Sequence, residues 1–138
     1  MPPVNYLAVL VAGILIFALG GVWFSKALFA RRWMALYNRT DEQIQKDMEN
    51  TNMGAMLAQV FVCGLLTAFA MVVIIDHFPP YTITRGIEVA ALCWLGFAGV
   101  TSYGTNLFSM KPKGLWIIES GYNLVAFILA AIVLTVWR

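Results

Sequence analysis

The sequence predicts an all-α protein, an antiparallel bundle of four transmembrane helices with a short cytoplasmic helix in its first loop. Apolar residues make up 61% of the chain and charged residues only 12%, against roughly 45–50% and about 25% in soluble domains. The apolar residues are also gathered into four long runs instead of recurring at the spacing of amphipathic helices. We therefore expect residues 1–138 to form a single integral membrane domain.

Each of the four apolar runs is long enough to cross a bilayer. At about 1.5 Å rise per residue, some 20 residues match the roughly 30 Å hydrocarbon core of a membrane. Pro79-Pro80 separates the second run from the third, and the Lys-Pro-Lys-Gly sequence of residues 111–114 separates the third from the fourth. Such tight turns predict that consecutive spans are antiparallel neighbours. The predicted spans cover residues 5–29, 53–75, 84–108 and 115–137.

The loop of residues 30–52 is the only stretch with the character of a soluble protein. Within it, Thr40-Asp41-Glu42-Gln43 fits a capping box, in which two side chains satisfy backbone N–H groups at a helix start. The pattern predicts a short helix that ends near Glu49. Because acids and bases nearly balance here, we interpret the loop as a solvated connector at the lipid headgroups, with a partner-docking segment as the alternative.

Basic residues are distributed unequally between the two sides of the predicted bundle. With four spans, the loops of residues 30–52 and 109–114 share one side, and both termini share the other. Seven of the nine lysines and arginines fall on the first side, whereas only Arg85 and Arg138 fall on the second. The positive-inside rule therefore places both loops in the cytoplasm and both termini in the periplasm, in a single orientation.

Basic and aromatic residues at the span ends are expected to anchor the protein in the headgroup region. Two arginines and a tryptophan directly follow the first span, and two lysines precede the fourth. Cations and indoles suit the interface with anionic lipids. Membrane lipids, and not nucleic acid, are therefore the expected partners. We assign lipid anchoring to Arg31, Arg32, Trp33, Lys111 and Lys113.

Polar residues inside the spans are the strongest candidates for a functional site, because lipid disfavours them. Glu119 lies about one turn into the fourth span, and Asn123 follows on the same helix face. The other three spans each place a polar side chain at a similar depth, roughly 3–9 Å below the same boundary. Glu119 is expected to pair with one of these three side chains. The predicted cluster consists of Lys26, Gln59, Asn106, Glu119 and Asn123.

The cluster leaves more than one function open. Interhelical hydrogen bonds of about 0.6 kcal/mol each explain it as packing, which favours an accessory protein that forms homo-oligomers or joins a larger membrane complex. Alternatively, Glu119 is the exchangeable carboxylate of a small oligomeric transporter or proton-linked carrier. A membrane enzyme is less favoured, because no nucleophile–base pair is evident. With one histidine and two isolated cysteines, we predict no catalytic residue, metal or cofactor.

Two stretches of the sequence carry a family pattern. In the first, Gly-Val-Trp-Phe-Ser opens a segment that continues to Trp33. The second comprises Trp-Leu-Gly-Phe at residues 94–97, Asn-Leu-Phe at 106–108, and residues 115–124 with Glu-Ser-Gly-Tyr-Asn at their centre. These stretches resemble small four-span bacterial membrane proteins classed as domain of unknown function 1761. The resemblance implies a four-span fold in a bacterial inner membrane, and it implies no known activity.

Three positions depart from the pattern of that family. Phe24, Lys26 and Asn123 stand where the family more often has tyrosine, proline and histidine. A titrating histidine is therefore not expected beside Glu119.

Overall fold

A computed structural model describes residues 3–138, and all regular secondary structure in that range is helical. The predicted all-α fold is confirmed, and four helical stretches are long and apolar enough to cross a membrane. A π-helical segment, Trp94–Gly99, lies between the fifth and sixth helices. The α-helices are α1 (Tyr6–Trp23), α2 (Ala30–Leu36), α3 (Asp41–Glu49), α4 (Met53–Ile75), α5 (Ile83–Cys93), α6 (Val100–Phe108) and α7 (Lys113–Val136).

The long helices lie close to the predicted spans, with one exception. α4 has the bounds predicted for the second span, and α7 lies within two residues of those predicted for the fourth. α5, the π-helical segment and α6 together form the third span, Ile83–Phe108. The first span differs, because α1 ends at Trp23 and the chain turns through residues 24–29. The prediction that this helix continues to Phe29 is wrong.

The turn after α1 satisfies its own backbone groups. The Ser25 hydroxyl donates a hydrogen bond to the Val22 carbonyl at 2.6 Å, and the Phe29 N–H donates to the Trp23 carbonyl at 3.2 Å. These bonds replace those that the helix would have continued to make. The chain then enters α2, a helix that the sequence did not predict, and α2 contacts α7. The end of α1 therefore brings the first loop back against the bundle.

The helix predicted in the first loop is present as α3. The Gln43 N–H donates to the Thr40 hydroxyl at 3.2 Å, and the Thr40 N–H donates to the Gln43 side chain at 3.0 Å. The capping box is therefore confirmed. An ion pair joins Arg39 to Asp47, and none of the nine residues of α3 is buried. This exposure fits a solvated connector.

α7 is the central helix of the bundle. It packs against α1, α4 and α5, and α1 also packs along α4. α4 and α5 follow one another in the chain and were expected to be close neighbours, but they make little contact. A groove of about 720 Å³ lies along α5 and the π-helical segment instead, and Ile74 of α4 and Phe78 of the following turn also line it. We call it the α4/α5 groove. The proline turn fixes the direction of the next helix, and it does not force the two helices together.

Small residues allow the helices to approach α7 closely. Within a membrane, helices associate through van der Waals packing, because lipid chains are as apolar as the helix surfaces. A methyl group on Gly86 of α5 would lie 2.7 Å from the Thr135 Cγ2 atom of α7 and 3.3 Å from the Ala131 carbonyl oxygen. The alanines of the core fully excluded from solvent are Ala8, Ala12, Ala68, Ala90, Ala130 and Ala131.

The contact at Gly86 leads to a testable prediction. Gly86→Ala should destabilise the protein by about 1–3 kcal/mol, as overpacking does, since the β-branched Thr135 is buried and bonded to the α7 backbone. The measurement is the free energy of unfolding in detergent micelles. Gly104→Ala, in the same span, is the matched control, because nothing lies within 4 Å of the added atom. Equal stability of the two variants would contradict this account of the α5–α7 contact.

Candidate functional site

Glu119 lies on α7 where α2 contacts that helix. Its Oε1 atom accepts hydrogen bonds from the Trp33 indole N–H at 3.2 Å and from the Tyr37 hydroxyl at 2.8 Å. Trp33 belongs to α2, and Tyr37 is the residue that follows it. Hydrogen bonds to an ionised carboxylate are roughly twice as strong as those between neutral groups. Glu119 therefore fastens the first loop to α7. We call Glu119, Trp33 and Tyr37 the α2 clasp.

Aromatic rings continue outward from the α2 clasp. The Trp33 ring packs on Tyr37 at a centroid distance of 5.1 Å and on Phe24 at 5.5 Å, and Phe24 packs on Tyr122 at 5.5 Å. The Tyr122 hydroxyl donates to the Ile16 carbonyl of α1 at 2.9 Å. Edge-on ring contacts of this kind contribute beyond simple burial. The row of rings therefore links the first loop, α7 and α1, and Glu119 lies half-buried beside it.

The two sequence stretches that carry the family pattern pack against each other. The Trp23 indole N–H, at the end of α1, donates to the Ile118 carbonyl of α7 at 2.9 Å. A methyl group on Gly121 would lie 3.3 Å from the Trp23 ring. The Trp23 ring also packs against Phe29, at 4.9 Å. The residues around Glu119 and those of the turn after α1 therefore form one contact region.

The predicted polar cluster does not assemble around Glu119. Lys26 is exposed in the turn after α1, and Gln59 is exposed on α4. Asn106 is 8% exposed, and its Oδ1 atom has no hydrogen-bond partner among residues 3–138. Asn123 is half-buried on α7, one turn beyond Glu119. The predicted pairing of Glu119 with Lys26, Gln59 or Asn106 is wrong, because the end of α1 removes Lys26 from the span and α2 supplies the donors instead.

The predicted anchoring residues also occupy different environments. Arg31, Arg32 and Lys113 are exposed, and their contact with lipid stays a prediction. Trp33 turns its indole N–H toward Glu119, so its position is set by a protein contact. The Lys111 ammonium lies 5.7 Å from the centre of the Tyr37 ring, within the range of a cation–π contact.

The environment of the α2 clasp shifts the ionisation of Tyr37. Burial, the hydrogen bond to Glu119 and the nearby carboxylate charge together raise the pKa of Tyr37 from 10.0 to about 12. The hydroxyl therefore stays protonated, as a donor must, at any physiological pH. Because the pKa of Tyr37 is higher in the folded than in the unfolded protein, the protonated hydroxyl contributes to folding stability. This contribution is fully present below pH 10.0 and is lost as the pH rises through about 12.

The α2 clasp also determines what Glu119 can do chemically. Both donors bind Oε1, and Oε2 receives no hydrogen bond from the residues that the structure describes. In this geometry one carboxylate oxygen of Glu119 holds the first loop against α7, and the other oxygen has no donor among residues 3–138.

A second polar contact lies at the opposite end of the bundle, where sequence reasoning missed it. Asp76 ends α4 with a side chain only 1% exposed, and its Oδ1 accepts from the Arg138 guanidinium at 2.7 Å. Arg138 also lies over the Tyr81 ring at 3.6 Å, and the Tyr81 hydroxyl donates to the Asp76 carbonyl at 3.0 Å. The sequence did contain a signal for this contact. Once Arg85 pairs with Glu88, Asp76 and Arg138 are the acidic and basic side chains that remain on that side.

The Tyr37 hydroxyl is the sharpest test of the α2 clasp. Tyr37→Phe should lower the free energy of unfolding by about 1.5–3 kcal/mol, the usual cost of losing a hydrogen bond to a charged group. The variant should also lose the fall in stability that the wild type shows as the pH rises from 10.0 to about 12. Both effects are measured by unfolding in detergent between pH 8 and 12.

Tyr6→Phe serves as the control for that variant. Tyr6 is 67% exposed at the start of α1, so its change should stay within about 0.5 kcal/mol and leave the alkaline stability profile unaltered. If Tyr37→Phe behaves like Tyr6→Phe, the hydrogen bond to Glu119 does not fasten α2.

Comparison with known proteins identifies the family. A family model described as "Protein of unknown function (DUF1761)" matches residues 7–135. No curated protein and no solved structure matches the chain significantly. The matched range runs from the first turn of α1 almost to the end of α7 and includes both stretches that meet at the α2 clasp. The resemblance seen in the sequence is confirmed, and the chain belongs to the DUF1761 family of membrane proteins.

Proposed function

We propose that the protein is an accessory or structural membrane component that works as a homo-oligomer or as a subunit of a larger membrane complex. The observation that carries this proposal is the α4/α5 groove, of about 720 Å³. α5 and the π-helical segment leave this apolar surface unpacked within one copy, beside the end of α4. A helix from another chain would complete that packing.

The floor of the α4/α5 groove suits a protein helix. We call the two smallest lining residues, Cys93 and Gly96, the floor, and a methyl group added at Gly96 would have nothing within 4 Å. Small residues of this kind let a second backbone approach closely, and close approach is what holds helices together in lipid. The walls are the larger apolar side chains that line the groove, namely Ile74, Phe78, Val89, Leu92 and Phe97.

The rim of the α4/α5 groove favours a second copy of the same chain. Arg85 and Glu88 both line it, 3.2 Å apart and with side chains 43% and 58% exposed. In a dimer with twofold symmetry the same patch meets itself, so it must be self-complementary. A patch with one cation and one anion satisfies that condition, because each charge meets its opposite on the partner.

A proton-linked carrier that uses Glu119 is the second candidate. The free Oε2 atom of Glu119 favours it, since a carboxylate oxygen without a protein donor can exchange a proton. Against it stands the α2 clasp, which holds the other oxygen atom. The exposed positions of Lys26 and Gln59 also leave the carboxylate without the polar lining that a solute path requires.

We further infer that the membrane is a bacterial inner membrane, with residues 30–52 and 109–114 in the cytoplasm and both termini in the periplasm. The compartment is what the resemblance of the sequence implies, and the seven basic residues on one side against two on the other support the orientation.

The orientation is tested by labelling single cysteines in intact cells with a membrane-impermeant maleimide. Asn50→Cys, after α3, should stay unlabelled until the membrane is opened, whereas Thr82→Cys, before α5, should react at once. Both positions are exposed, so reactivity reports the side of the membrane. Cys63 and Cys93 are first replaced by serine and alanine. Immediate labelling of Asn50→Cys alone would reverse the orientation, and labelling of both would indicate two orientations.

The oligomer is tested by native mass spectrometry of the protein extracted in nanodiscs from its own membrane. The wild type should appear as a homo-oligomer or with stoichiometric foreign subunits. Gly96→Leu, which fills the floor of the α4/α5 groove, should shift it to monomers. Gly104→Leu, also open at its Cβ and in the same span, should not. A monomeric wild type without partners would contradict the proposal.

The same preparation separates the two candidate functions. Glu119→Gln should leave the oligomer intact if the α2 clasp is structural. Loss of proton flux in vesicles with assembly preserved would instead establish the carrier.

A further inference from the structure

A second groove lies between the third and fourth spans, on the side of the bundle that carries the basic loops. Its volume is about 360 Å³, and we call it the aromatic groove. It opens beside α6 and the first turns of α7, away from the α4/α5 groove. Its walls are formed by Trp94, Leu95, Gly99, Val100, Tyr103, Lys113, Trp116 and Ile117.

The π-helical segment builds one wall of the aromatic groove. Its wider turn breaks the regular backbone bonding of the third span, and the Gly99 carbonyl accepts hydrogen bonds from the Trp116 indole at 3.0 Å and from the Ser102 hydroxyl at 3.0 Å. The Trp94 indole donates to the Ser120 carbonyl at 2.8 Å. Both indole N–H groups are thus satisfied by backbone carbonyls. The ring faces are fixed in place as apolar walls.

Gly99 is required for this arrangement. A methyl group there would lie 2.9 Å from the Trp94 ring, so the indole rests directly on the helix backbone. Tyr103 packs edge-on against Trp116 at a centroid distance of 5.0 Å. The groove is therefore preformed. A ligand would not have to immobilise the side chains of its walls, and the entropy cost of such ordering, which weakens binding at flexible sites, is avoided.

The charge of the aromatic groove is positive at one end. Lys113 is exposed, and no acidic side chain is among the residues that line the groove. Lys113 is also the first residue of α7, whose N-terminus has no side-chain cap. The partial positive charge of that helix end therefore adds to the ammonium charge.

We propose that the aromatic groove binds an anionic phospholipid, with an acyl chain against the indole rings and the phosphate on Lys113. Leu95 and Ile117, on the groove walls, are 52% and 61% exposed, so the groove opens sideways to the lipid chains. Lys113 lies at the end of the span, where headgroups lie. Basic pockets between transmembrane helices select anionic headgroups. A zwitterionic headgroup would bring its own cation against Lys113 and bind less well. The proposal is independent of the function proposed above.

The test uses the full chain in nanodiscs that contain brominated phosphatidylglycerol or brominated phosphatidylcholine. Bromine on the acyl chain quenches nearby tryptophan fluorescence. The chain has five tryptophans, so the part of the quenching that is lost in Trp94→Phe and Trp116→Phe reports occupancy beside these two rings. The wild type should bind phosphatidylglycerol more tightly than phosphatidylcholine. Lys113→Gln should reduce that preference about fivefold, the effect of one basic residue near an anionic surface.

Lys46→Gln is the control, since it removes the same charge from the same side of the bundle but far from the groove, on α3. It should retain the preference. If the preference for phosphatidylglycerol falls equally in both variants, it reflects general surface charge. If it falls in neither, Lys113 binds no headgroup. Each of these results overturns the proposal. Val100→Phe, which fills part of the groove without adding an indole, should reduce quenching by both lipids. Displacement by inorganic phosphate alone would indicate a free-anion site and would overturn the lipid assignment.

Discussion

The close approach of three helices to α7 is the constraint on which the rest of the structure depends. In lipid no hydrophobic force drives helices together, so the bundle forms only where backbones approach closely enough for many weak contacts. α7 meets this condition along most of its length, because its small side chains Ala126, Ala130 and Ala131 are buried in contacts with the neighbouring helices. Gly86 lets α5 approach it at Ala131 and Thr135. α1 and α4 are then positioned against α7 and against one another.

Glu119 extends the role of α7 to the first loop. α2 has seven residues, too few for a stable helix on its own, and it is held by the two hydrogen bonds that Glu119 accepts. The donors are neutral, so the contact does not require a second charge to be desolvated, as a buried ion pair would. The indole and phenol rings also supply apolar surface beside the carboxylate. This explains why the partners of Glu119 are aromatic and not cationic.

Sequence alone predicted the elements whose signals are local. Hydropathy predicted the four spans, and the Thr40–Gln43 capping box predicted α3, because both depend on residues a few positions apart. The end of α1 was not predictable from hydropathy, since Ser25 and Lys26 are followed by further apolar residues and a lysine is tolerated near a span end. That turn brings Trp33 and Tyr37 to Glu119. Because the turn was not predicted, these partners of Glu119 were not predicted either. The Asp76–Arg138 pair joins residues 62 positions apart, and the α4/α5 groove depends on lateral packing that a turn does not determine.

The distribution of polar groups bears on how any function would work. Glu119 lies near one end of the bundle and Asp76 at the other, and between them the core is apolar, with Ala12, Ala68 and Ala130 fully excluded from solvent. Over residues 3–138, one copy therefore offers no chain of polar side chains that links its two acidic sites. A path for a proton or solute would have to run between copies. The proposed carrier would thus require assembly, as the proposed accessory role does, and oligomeric state comes first in deciding between the two proposals.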